Sequence, residues 1–133
     1  MKKKKKSIKI EVFNLAKAKG FSYKIIKKLV NYVAKKENLD NIKTLNVIIA
    51  DAQYLKNLNR QFFYRNTTTN VISFNLGEIG EIYISNDEVK DLFDFYYYLA
   101  HGLLHIVGYD DLTKKDEKIM NKKVQEYLEK ILI

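Results

Sequence analysis

Strand-like and helix-like patterns alternate along this chain, and that alternation restricts it to folds in which helices cover a sheet. Ser7-Ile-Lys-Ile-Glu-Val-Phe13 places apolar residues at every second position, as a half-buried strand does. Ile25, Ile26, Leu29, Val30 and Val33 then recur at helical spacing behind Gly20-Phe-Ser22, with Ser22 placed to cap the helix. Thr44 to Ala50 is a mostly apolar strand, and Asp51 can cap a helix carrying Tyr54, Leu55, Leu58 and Phe62. Strands are expected at Thr69 to Leu76 and at Glu81 to Ser85, split by Gly77 and Gly80. A helix from Leu92 to Val107 follows. A last helix begins near Lys114, with Ile119, Met120, Val124, Tyr127, Leu128 and Ile131 on one face. The expected class is α+β, a sandwich-like arrangement of a mixed sheet of about four strands flanked by about four to five helices. The early strand–helix–strand order favours at least one parallel pair.

No repeat or linker divides the chain, so residues 1–133 read as one domain, with residues 1–6 a lysine-rich, solvated tail. Cysteine is absent, which removes disulfides and thiolate metal sites from consideration. No apolar run approaches the ~20 residues that span a bilayer, and no signal-peptide core follows the lysines. The expectation is a cytoplasmic protein with no membrane partner. A formal charge of +8 points to an anionic partner, nucleic acid first. A compositional bias toward Lys, Asn, Ile and Tyr accounts for that charge equally well.

The chemistry concentrates in one stretch of the chain. His101 and His105, the only two histidines, are separated by one helical turn, so both imidazoles share a face. Gly108 can end that helix in a left-handed conformation, and the reversed chain can bring Asp111 back over the same ion. Three protein ligands leave a fourth position open to water, the pattern of a catalytic rather than a structural zinc site. Zincin proteases carry Glu directly after the first histidine as a general base. This chain has Gly102, which argues against peptide hydrolysis.

These residues resemble the YbeY family of bacterial rRNA-maturation endoribonucleases, whose pattern H-G-x-L-H-x-x-G-Y-D-H is matched from His101 to Asp110. Thr69-Asn-Val-Ile-Ser-Phe74 is similar to the family's T-[DN]-V-L-S-F strand, and Gly80-Glu-Ile-Tyr-Ile-Ser85 to its G-D-I-x-I-S strand. Leu58-Asn59 falls at the spacing of the family's L-N pair, and the likeness spans roughly residues 44 to 128. It implies a mixed sheet with flanking helices, a metal held by three histidines, and cleavage of single-stranded RNA. It also implies action at the 3′ end of 16S rRNA and in ribosome quality control, with the small ribosomal subunit as partner and no small-molecule cofactor.

Two departures stand out. Asp111 occupies the place of the family's third histidine. A carboxylate is a legitimate zinc ligand, but two histidines with one carboxylate also suit Fe(II), Mn or Ni. Asp110 matches the family's acid and reads as turn-forming or as a supporting group, although either Asp can reach the ion. The family's arginine falls on Phe63, leaving Arg65 or Arg60 as substitutes; Arg65 is the stronger candidate to clamp a phosphate. Ser73 and Glu81 lie on strands expected to border the site, with Glu81 the candidate base. Phe62, Phe63 and Tyr64 can stack on bases or belong to the core, and Tyr109 can meet a phosphate or pack the turn.

The expected ligands are therefore His101, His105 and Asp111, with Arg65 and Glu81 as catalytic candidates and one divalent ion, Zn2+ first, as cofactor. The expected activity is that of a metal-dependent, single-strand-specific endoribonuclease. Its rival is a ribosome-assembly RNA-binding factor with a structural metal and little or no nuclease activity. A metal hydrolase acting on another ester or amide is a more distant third.

Overall fold

A computed structural model describes residues 7–64 and 69–133. The chain runs β1 (Lys9–Asn14), α1 (Tyr23–Lys36), β2 (Thr44–Ala50), α2 (Ala52–Phe63), β3 (Val71–Asn75), β4 (Ile79–Ser85), a 3-10 turn at Asn86–Glu88, α3 (Leu92–Val107) and α4 (Lys114–Leu132). The four strands form one sheet in the order β1-β2-β4-β3. β1 and β2 are parallel, as are β2 and β4, whereas β3 runs antiparallel to β4. The sheet is thus mixed, and the fold is α+β with four α-helices.

Strand alternation divides the apolar residues between two faces. Leu45, Val47 and Ile49 of β2, with Ile82 and Ile84 of β4, join the larger core with residues of α1, α3 and α4. Ile48, Ala50 and Ile72 face the other way and enclose Leu55 of α2 in a smaller cluster. α3 is the central helix, packed on β3 and β4 beneath it and against α1 and α4 beside it. Leu99, Leu103 and Leu104 are fully enclosed there. Burying each such side chain stabilises the fold by about 1.5–3 kcal/mol.

The helix starts follow from local chemistry. Ser22, Asp51, Asp91 and Thr113 each accept from the backbone N–H of the third residue of the next helix, satisfying a donor left open there. Ser22 and Asp51 are the caps expected from sequence. At the last strands the expected bounds shift. β3 begins at Val71 rather than Thr69, and the Thr69 hydroxyl donates ahead to the Val71 carbonyl at 3.2 Å. β4 begins at Ile79 rather than Glu81, so Gly80 lies within the strand, not in the turn. A Cβ on Gly80 would meet Ile106 and Leu45 at 3.1 Å, so the missing side chain lets the core close over the sheet.

Candidate metal centre

The candidate centre forms where α3 stops. Gly108, at φ 123°, donates its N–H to the carbonyls of Leu104 and His105, both at 3.1 Å, and Tyr109 N–H donates to Leu104 at 2.9 Å. These bonds satisfy carbonyls that the helix end leaves open and turn the chain back on itself. Asp110 holds the next turn, its carboxylate accepting from Leu112 N–H at 3.3 Å. Asp111 then lies over the last turn of α3.

His101 Nε2 and His105 Nε2 are 3.1 Å apart. One Asp111 carboxylate oxygen lies 3.6 Å from the first and 3.7 Å from the second. Around a tetrahedral ion with Zn–N and Zn–O bonds of ~2.0–2.2 Å, neighbouring donor atoms are separated by about 3.3–3.6 Å. The three side chains therefore fit one ion, and among the described residues they are the group of histidines and acids close enough to hold one. Asp111 is the most exposed of the three, so the centre opens to solvent on its side.

Electrostatics favour the ligand form of His101. Burial lowers the tendency of His101 to take a second proton, and the neighbouring His105 adds to that; Asp111 opposes both without reversing them. His105 Nδ1 lies 3.0 Å from the Tyr109 carbonyl. A carbonyl only accepts, so Nδ1 is the donor of that bond and Nε2 is the ring nitrogen turned to the centre.

Beneath the histidines, α3 presses on the sheet through Gly102. A Cβ there would sit 2.8 Å from Ile82 Cγ2, 2.9 Å from Ser73 Oγ and 3.2 Å from Val71 Cγ2. The Ser73 hydroxyl donates to the Gly102 carbonyl at 2.9 Å, and the Asn75 amide donates to the Ile106 carbonyl at 3.1 Å. Position 102 thus faces β3 and β4 rather than the centre, so a side chain there is directed into the sheet. Ser73 lies beneath α3, where its hydroxyl anchors the helix at Gly102.

Glu81 is not brought to the histidines. Its neighbours on β4, Gly80 and Ile82, face α3, so Glu81 faces the opposite side of the sheet. There it accepts from the Tyr83 hydroxyl at 3.2 Å, and Tyr83 stacks on Tyr54 of α2. Arg65 lies outside the described residues. Arg60, exposed on α2, donates to Asn57 at 3.2 Å. Phe63 stacks on Phe74 with ring centroids 6.0 Å apart, and Phe62 meets the same ring edge-on at 5.3 Å, while Tyr64 is almost wholly exposed. The aromatic run at the end of α2 is thus part packed and part presented to solvent.

The tyrosines before His101 serve packing, with all three hydroxyls engaged. Tyr96 is buried and accepts from Ser22 N–H at 2.8 Å; Tyr97 donates to Asn121 at 2.9 Å and Tyr98 to the Glu88 carbonyl at 3.2 Å. Sequence reasoning missed Asn75 and Glu37. Asn75 sits at a strand end, where an Asn reads only as a turn former. Glu37 meets partners 72 and 90 residues away, which no local pattern signals.

Fold and centre together define an α+β protein with a solvent-open His-His-Asp group, able to hold a metal ion, at the end of its central helix. The family described as "Endoribonuclease YbeY" matches residues 9–132. Among similar proteins, the endoribonuclease YbeY of Cytophaga hutchinsonii is 37% identical over 112 residues, covering 74% of this chain and 78% of that protein. The endoribonuclease YbeY of Fusobacterium nucleatum is 31% identical over 125 residues, covering 75% and 77%. The solution structure of TM1509 from Thermotoga maritima superposes with a TM-score of 0.55 at 29% identity, covering 92% of this chain and 88% of that one. The chain belongs to the endoribonuclease YbeY family.

Proposed function

We propose that this protein is a metal-dependent endoribonuclease that cuts single-stranded RNA, with His101, His105 and Asp111 as ligands of one divalent ion, Zn2+ first. The observation that carries the reading is the convergence of those donor atoms, at 3.1 to 3.7 Å, in a member of this family. When bound, such an ion supplies a Lewis acid that offsets charge developing on a scissile phosphate. The chain's own residues prepare the place. His105 is oriented by the bond from its Nδ1 to the Tyr109 carbonyl, burial favours neutral His101, and Ser73 and Gly102 hold α3 against the sheet. Asp111 adds a negative charge where a histidine would be neutral, so the centre carries less net positive charge and draws the phosphate less strongly.

The lysine-rich surface suits the phosphate backbone of RNA, with affinity that falls steeply as salt rises. We place the activity in the cytoplasm, at the 3′ end of 16S rRNA and in ribosome quality control, with the small ribosomal subunit as partner. No helix among the described residues is long and apolar enough to cross a membrane. Arg65 remains our candidate for a phosphate contact, and its substitution by Ala tests that role directly.

A second reading draws on Phe63, which stands where the family pattern has arginine and stacks on Phe74. It is an RNA-binding assembly factor with a structural metal and little cleavage. Incubation of the zinc-loaded protein with single-stranded and duplex RNA oligonucleotides separates the two. Metal-dependent cutting of the single strand alone supports the nuclease. Binding that survives chelation, with no cutting above background, supports the factor.

A further inference from the structure

Glu37 ends α1, yet its carboxylate reaches the loop that carries Asp111. Only 10% of the side chain is exposed, and it collects three donors. The Tyr109 hydroxyl donates at 2.9 Å, the Tyr127 hydroxyl donates to the other oxygen, and Lys123 Nζ lies 3.6 Å from that oxygen. An enclosed carboxylate is costly unless it is paired, and this one is paired on both oxygens. Burial alone would push its carboxyl up, but the two phenols and the lysine outweigh it and hold Glu37 below the ordinary range, hence ionised at neutral pH.

Tyr109 is therefore engaged at three points. Its phenol is held by Glu37, its N–H by the Leu104 carbonyl at 2.9 Å, and its own carbonyl accepts from His105 Nδ1 at 3.0 Å. The residue before it is Gly108, at φ 123°, which offers little resistance to rotation of the loop. The peptide that orients His105 is thus pinned from outside, by a helix more than seventy residues earlier in the chain.

We infer that Glu37 is a positioning residue for the metal centre: through the Tyr109 phenol it holds the carbonyl that keeps His105 in its ligating tautomer and orientation. The inference rests on the reading of His101, His105 and Asp111 as metal ligands. Groups hydrogen-bonded to a metal-binding histidine change metal affinity by about 10–100-fold when removed. Glu37 acts one bond further out, which sets the expectation at the lower end, about tenfold.

The test is Zn2+ affinity of the full chain, measured by competition with a chromophoric chelator alongside thermal unfolding. Tyr109→Phe and Glu37→Ala are each expected to weaken Zn2+ binding about tenfold. The double variant should be no weaker than either single one, because both remove the same link. Glu37→Gln, which keeps an acceptor for the Tyr109 hydroxyl, should stay near wild type. Tyr23→Phe removes a comparable bond to the Ile10 carbonyl, 2.8 Å long and remote from the centre; it should lower stability without moving Zn2+ affinity. If Tyr109→Phe and Glu37→Ala bind Zn2+ as wild type does, with His105→Ala binding none, the positioning role is overturned and the metal reading stands. If the wild type and His105→Ala alike take up no Zn2+, the metal reading fails and the inference with it.

Discussion

His105 donates from Nδ1 to the carbonyl of Tyr109, four residues on and 3.0 Å away, and so turns its Nε2 toward His101 Nε2 at 3.1 Å. A metal-binding histidine is commonly oriented by a bond from its other ring nitrogen, and here the backbone supplies the acceptor. No side-chain substitution at position 109 removes that carbonyl. Only a change in where the loop sits can weaken it.

Asp111 should be replaceable by histidine. Its carboxylate oxygen lies 3.6 and 3.7 Å from the two imidazoles, and the family pattern carries histidine in its place. Asp111→His is expected to keep one Zn2+ per chain, whereas Asp111→Ala should lower affinity by at least tenfold, by loss of one of three ligands. Elemental analysis after dialysis distinguishes them. Unchanged metal content in Asp111→Ala would remove this residue from the ligand set.

Gly102→Ala should destabilise the fold although alanine favours a helix by about 1 kcal/mol. The added methyl would lie 2.8 Å from Ile82 Cγ2 and 2.9 Å from Ser73 Oγ, which forces α3 away from the sheet. Overpacking of this kind costs about 1–3 kcal/mol, so after the helix gain a net loss of up to about 2 kcal/mol is expected in urea unfolding. A more stable variant would show that the helix can lift without penalty.

Leu103→Ala offers the complementary measurement. Leu103 is fully enclosed on the side of α3 opposite the histidines, and truncating such a residue costs about 2–5 kcal/mol. A loss below 1 kcal/mol would contradict the close packing of α3 in the core.

Glu37 should make the fold sensitive to acid. Its carboxyl is held below the ordinary glutamate range: burial pushes it up, but Tyr127, Tyr109 and Lys123 outweigh that. A group whose pKa is depressed on folding contributes stability that is present above its unfolded value and lost as pH falls through the folded one. Glu37→Gln should therefore flatten the fall in stability below the usual glutamate pKa of 4.5. Parallel stability–pH curves for the two proteins would remove Glu37 from the titrating groups.

Much of this fold can be read from periodicity. β2 and α3 have the bounds that apolar spacing alone suggests, and the caps at Ser22 and Asp51 act as their residue types imply. The meeting of His101, His105 and Asp111 is legible for the same reason: helix spacing and a glycine stop are local rules. Glu81 shows where such reading ends. Its distance from the histidines depends on which face of β4 receives α3, and Gly80 hides that choice by adding no side chain to the alternation. Glu37 is further out of reach, since it meets Tyr109 only through tertiary packing and looks, in Lys35-Lys36-Glu37, like part of a solvated charge run.

In the function proposed above, one ion held by His101, His105 and Asp111 underlies cleavage of RNA. The most direct test is to titrate Zn2+ into metal-stripped protein and His105→Ala while following cleavage of a single-stranded RNA oligonucleotide. Cleavage should rise to a plateau at one ion per wild-type chain and stay at background for the variant. Cleavage by stripped protein, or equal cleavage by His105→Ala, would contradict it.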